Sequence, residues 1–144
     1  MHSLSRMSIA AVAAIALTAG ISVANAEMMK MKANLNSSSE VPPNASKGTG
    51  TGDFSYDTTS KKLDWTINYK DTSGPVTAGH IHGPAAPGAN AGVAVPLQNP
   101  GTSPIKGSAT LTDAQAADLM AGRMYVNLHT DANKGGELRG QITK

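Results

Sequence analysis

The 144-residue sequence has no cysteine, and only one tryptophan, three tyrosines and one phenylalanine. The first absence excludes a disulfide scaffold. Charge is sparse as well: 15% of residues are charged, and 12 basic against 10 acidic side chains leave a net charge of +2. With no basic cluster and no interleaving of basic with aromatic residues, binding along a phosphate backbone is disfavoured. Long apolar side chains are few. From Glu27 onward, 17 of 118 residues are Leu, Ile, Val or Phe. So few apolar residues combined with a high net charge would read as disorder, but the charge here is small, so a compact fold with an economical core is expected. The length is that of one domain. There is no nucleophile elbow, phosphate loop or dinucleotide fingerprint, and no evident carboxylate pair for glycoside hydrolysis.

Residues 1–26 read as an address. His2 and Arg6 form a short positive start, an apolar stretch over 7–23 follows, and Ala24-Asn25-Ala26 supplies the small-x-small pattern of a signal-peptidase site. Thr18, Gly20 and Ser22 interrupt the apolar stretch and weaken the alternative of an uncleaved anchor. The expectation is a signal peptide over 1–26, cleavage after Ala26, and a mature domain over 27–144 exported to a periplasm or secreted, with no membrane span after cleavage.

The mature chain reads as short strands. Met29, Met31, Ala33 and Leu35 alternate with Lys30, Lys32, Asn34 and Asn36, and Leu63, Trp65, Ile67 and Tyr69 alternate with Asp64, Thr66 and Asn68. Gly50, Gly52, Phe54 and Tyr56 share a face, and the two aromatics are expected to pair with Trp65 and Ile67 across a hairpin turning at 57–60. Further strands are expected at 76–82, 93–97, 105–111, 124–130 and 137–143. A Gly/Pro/Ala loop spans 83–92. Thr112 with Gln115 forms a capping box ahead of Ala114 to Met120, and Gly122 suits the position beyond a helix end, so one short helix is expected over 112–121. Seven or eight short strands between Gly/Pro turns imply an all-β fold: an antiparallel Greek-key sandwich or barrel with one short helix.

Three histidines lie beyond the signal: His80, His82 and His129. His80 and His82, two apart on a strand, point to one face, with Cβ atoms roughly 6.5 to 7 Å apart, close enough for two imidazoles to converge on one ion. In the last hairpin Met124, Val126 and Leu128 form an apolar row, and Tyr125, Asn127 and His129 form the opposite row, directed away from the core. All three histidines thus fall on the polar side of their strands, and a shared metal site is weighed ahead of three scattered solvent histidines. Imidazole suits copper and zinc, and divalent copper leads on affinity. Asp131, two residues past His129, reads as a turn residue rather than a ligand, and Met28, Met29 and Met31 as strand packing rather than thioether ligands. Arg139 alternates outward with Glu137 and Gln141. It stands either near His129, where a guanidinium would attract small anions, or in a surface ion pair with Glu137.

Four segments together resemble the CHRD (chordin-type) domain: Glu40-Val41-Pro42-Pro43; Ala78-Gly79-His80-Ile81-His82-Gly83-Pro84; Gly122 through Thr130 (GRMYVNLHT); and Gly135 through Ile142 (GGELRGQI). They span nearly the whole mature chain in order. The resemblance implies an exported bacterial domain. More distantly, the chain is similar to Cu,Zn superoxide dismutases. Those enzymes carry an H-x-H pair on one strand, a copper-ligating His at the end of a later strand, and a final-strand Arg guarding the copper. His80, His82, His129 and Arg139 match these in order and type, and a Greek-key β-barrel is implied. The sequence departs from that pattern in having no histidine for the bridging position, no zinc-ligand set and no cysteine pair.

Three functional expectations follow. The first is a superoxide dismutase-like oxidoreductase, with copper on His80, His82 and His129 and Arg139 as the catalytic residue orienting superoxide. The second is a non-catalytic periplasmic copper-binding protein using the same histidines. The third is a structural or adhesion domain whose histidines only hydrogen-bond in loops.

Overall fold

In the computed structural model, residues 25–144 are described. The expected signal over 1–26 therefore lies, up to residue 24, outside the described residues. Eight strands form: β1 (Met28–Asn36), β2 (Thr49–Asp57), β3 (Lys62–Lys70), β4 (Val76–His82), β5 (Val93–Pro96), β6 (Ile105–Thr110), β7 (Tyr125–Thr130) and β8 (Leu138–Gln141). They build one antiparallel sheet in the order β5-β4-β7-β8-β1-β2-β3-β6. The alternating segments form strands because each buries one face. Met31, Ala33 and Leu35 are buried on β1, and Leu63, Trp65 and Ile67 on β3, while the residues between them face out.

A single apolar cluster takes side chains from all eight strands, including Val95 of β5 and Ile105 of β6 at the two sheet edges. One sheet can do this only by curling around its own core, so the architecture is barrel-like. The segment between β5 and β6 spans the gap between the edges. Leu97 N–H donates to Gly79 O of β4 at 2.9 Å, and Tyr69 N–H of β3 donates to Ser103 Oγ at 3.0 Å. The fold is therefore all-β and antiparallel with one short helix, as the turn spacing implied.

In the first hairpin Phe54 faces Trp65 as expected, but Tyr56 faces Leu63, and Ile67 faces Gly52. The register is set by the turn, in which Asp57 Oδ1 accepts from the N–H groups of Thr59 and Ser60. The helix α1 (Asp113–Met120) begins at the Thr112–Gln115 capping box, with both reciprocal hydrogen bonds made, and buries Ala116 and Leu119 against the barrel. No helix among the described residues is long and apolar enough to cross a membrane.

Candidate metal centre

Strands β4 and β7 pair so that His80 lies opposite Asn127, His82 opposite Tyr125, and Ala78 opposite His129. Residues two apart on a strand share a face, so His80 and His82 stand beside Asn127 and His129 on the outer side of the barrel, away from Ile81, Val126 and Leu128. One ring nitrogen from each histidine lies within 4.8 Å of the other two. His80 Nδ1 is 3.1 Å from His129 Nε2. The His80 ring stands edge-on to both others, with centroids 5.5 Å from His82 and 5.0 Å from His129.

Backbone carbonyls fix which nitrogens are free. A carbonyl oxygen only accepts, so the ring nitrogen facing it carries the proton. His82 Nδ1 donates to Ala91 O at 3.0 Å, and His129 Nδ1 donates to Lys134 O at 2.9 Å. In that tautomer Nε2 of each ring keeps its lone pair, and the carbonyl holds the ring in the orientation a metal ligand needs. His80 is held below the ordinary histidine range, first by burial and then by the neighbouring His129 and His82, which favours its uncharged form. His82 is buried, while His80 and His129 are partly exposed and form the open side of the cluster.

Asp131 is exposed and outside the cluster; Met31 is in the core and Met28 is exposed, so none of these joins the site.

The outer face is not a solvent face, and this corrects the simplest reading of the alternation. Tyr125, Asn127 and Arg139 are 2%, 4% and 1% exposed. The 83–92 loop folds over Tyr125 and Arg139. Ala91 N–H donates to Tyr125 Oη at 3.1 Å, and Gln141 Nε2 donates to Ala85 O at 2.8 Å. Arg139 donates to Ala89 O at 2.7 Å and to Asn90 Oδ1 at 3.1 Å. Its Cζ stands 3.5 Å from the centroid of the Tyr125 ring, a cation–π contact in a desolvated site. Tyr125 in turn stacks on His82, with centroids 4.9 Å apart and planes 7° from parallel. Arg139 thus reaches the histidines through Tyr125.

The ion pair of Arg139 with Glu137, the alternative to a place near His129, does not form. Glu137 is fully buried and is held by the Ser46, Ser73 and Thr130 hydroxyls, the Ser73 N–H and the Asn133 amide. Burial alone would raise its pKa, but these donors outweigh burial and hold it at about 2. Glu40 behaves in the opposite way. Burial pushes it up to about 7, against the pull of the Arg139 charge and of hydrogen bonding from the Asn127 side chain. Its Oε1 is buried without a hydrogen-bond partner.

Sequence reasoning gave no role to Asn127, Tyr125 or Glu40. The signal for Asn127 was present: it shares the His129 row, two residues away. Glu40 opens one of the segments that resemble the CHRD domain, but nothing in its surroundings placed it on this face, which it reaches from the loop after β1.

The CHRD domain family model matches residues 31–142, which include all three histidines, Asn127 and Arg139. No curated protein and no solved structure matches the chain. The likeness to Cu,Zn superoxide dismutases therefore rests on the order and type of His80, His82, His129 and Arg139 alone.

Proposed function

The chain belongs to the CHRD domain family, and we propose that it binds a single copper ion on His80, His82 and His129 as a non-catalytic copper-binding protein. One observation carries the reading: a ring nitrogen from each histidine converges within 4.8 Å. The carbonyls of Ala91 and Lys134 support it by fixing two of the tautomers. Three neutral imidazoles suit copper and zinc, and the affinity order of divalent ions puts copper first. The signal expected over 1–26 would deliver the domain to a periplasm or beyond, where an exported metal binder meets its ion.

A second reading, superoxide dismutation, draws support from Arg139, which contacts the His82-stacked ring of Tyr125. Anion guidance requires guanidinium donors turned to solvent. Here those donors meet Ala86 O, Ala89 O and Asn90 Oδ1, and the residue is buried. Binding without turnover is the reading this geometry favours.

The test is copper titration of the mature chain, with metal analysis after desalting and thermal melts with copper and with EDTA. One copper per chain is expected. It should raise apparent stability by about 2.7 kcal/mol at a free concentration 100 times Kd, and His82→Ala should abolish that gain. A melt indifferent to copper and chelator would leave only the structural or adhesion reading. Superoxide decay no faster than with the same copper released from denatured protein would exclude dismutation.

A further inference from the structure

Besides the three ring nitrogens, a fourth donor points into the cluster. Asn127 Oδ1 lies 2.9 Å from His82 Nε2 and 3.0 Å from His129 Nε2. Ligands at about 2.0–2.1 Å from a tetrahedral centre stand roughly 3.3 Å apart, so these separations, with the 3.1 Å between His80 Nδ1 and His129 Nε2, bring Asn127 Oδ1 as close to the imidazoles as a shared ion requires.

Proton counting makes the same point. A side-chain carbonyl oxygen can only accept. His82 and His129 spend their ring protons on Ala91 O and Lys134 O. With His82 and His129 as the Nδ1–H tautomers, the lone pairs of His82 Nε2, His129 Nε2 and Asn127 Oδ1 face one another, with His80 Nδ1 beside them. So electron-rich a cluster in a partly buried site calls for a cation. The other end of the amide stands beside the buried carboxyl of Glu40, whose pKa the Asn127 side chain lowers, which places the NH2 group toward Glu40 and the oxygen toward the imidazoles.

We propose that Asn127 Oδ1 is the fourth ligand of the metal, completing a three-nitrogen, one-oxygen site, with Glu40 as the residue that positions the amide. The proposal rests on the metal-binding reading above. It also deepens that reading, because four protein donors fill a tetrahedral shell and leave no vacant position, as in sites that hold a metal rather than turn over a substrate.

The experiment compares Cu(II) and Zn(II) binding by the wild-type chain, Asn127→Leu and Asn127→Asp, each checked for native far-ultraviolet circular dichroism. Asn127→Leu removes the oxygen at similar volume and should weaken binding at least 10-fold and change the Cu(II) electron paramagnetic resonance hyperfine splitting. Asn127→Asp keeps an oxygen in place and should restore affinity to wild-type level or tighter. Should Asn127→Leu fail to fold, the wild-type chain decides: Zn(II) should shift the Asn127 side-chain amide resonances, and a Glu40→Gln variant should bind several-fold more weakly. Unchanged affinity and spectrum in Asn127→Leu, or unmoved amide resonances, would overturn the fourth ligand while leaving the histidine site standing. No metal binding by the wild-type chain would overturn both.

Discussion

The rings of His82 and Tyr125 lie parallel, 7° from coplanar orientation and 4.9 Å between centroids. They sit directly opposite each other on β4 and β7. Tyr125 also receives the guanidinium of Arg139 and, through its hydroxyl, the Ala91 N–H. One aromatic ring thus ties the metal-site histidine, the buried cation and the covering loop together.

Tyr125→Phe keeps the ring and removes the hydroxyl. It should cost about 1 kcal/mol of unfolding free energy, the worth of a typical hydrogen bond, and change copper affinity less than threefold. Tyr125→Ala removes the ring that packs on His82 and Arg139. It should cost about 3–5 kcal/mol and weaken copper binding more than tenfold. Urea unfolding and copper titration on the same samples check both. Equal copper affinity in the two variants would mean the stack does not orient His82.

Arg139 separates the binding reading from the dismutase reading. Its donors face Ala86 O, Ala89 O and Asn90 Oδ1, and its plane covers Tyr125. A lysine cannot reproduce that planar fork. Arg139→Lys should therefore destabilise by about 2–3 kcal/mol, within the range for removing a buried charged partner, while copper stoichiometry stays at one. The 83–92 loop should become more open to proteolysis. A variant of full stability and lowered superoxide decay would instead place Arg139 in catalysis.

Glu137 sets an acid limit on the fold. Its folded pKa of about 2 lies below the ordinary 4.5. A carboxyl held low stabilises fully above its ordinary value, and that contribution is lost as pH falls from about 4.5 toward about 2. Wild-type stability should drop across that window, and Glu137→Gln should be flatter there. At pH 7 the same variant should be less stable by about 2–4 kcal/mol, since it removes the charge and turns one of the two acceptor oxygens into an NH2 group facing donors. Urea midpoints measured at intervals from pH 2 to 7 show it directly.

Alternation made much of this molecule legible. The period of two over Leu63, Trp65, Ile67 and Tyr69 became β3, with the first three of them inside. The same period put His80, His82 and His129 on one side, and the fold brought them together. What alternation cannot register is a third layer. The 83–92 loop has no periodicity, yet it covers Tyr125 and Arg139, so outward positions became buried polar ones. Glu40 was illegible for a related reason. Its partners Arg139 and Asn127 lie about a hundred residues away, and only the adjacency of β1 and β8 brings their surroundings together.

The turn before β8 offers the sharpest local test of that covering. Gly136 has φ +133°, a conformation that side chains rarely adopt, and a Cβ built there would lie 2.6 Å from Glu40 Cδ. Gly135, its neighbour, has no positive φ and open space around its Cα. Gly136→Ala should therefore destabilise by about 2–4 kcal/mol, strain and overpacking together, while Gly135→Ala should change stability by less than about 0.5 kcal/mol. Because the carboxylate that Gly136 makes room for also meets Asn127, Gly136→Ala should weaken copper binding as well. Thermal melts and copper titrations of the two variants check this. Equal losses in both would show that Glu40 can move aside freely, which its burial and its place beside Asn127 argue against.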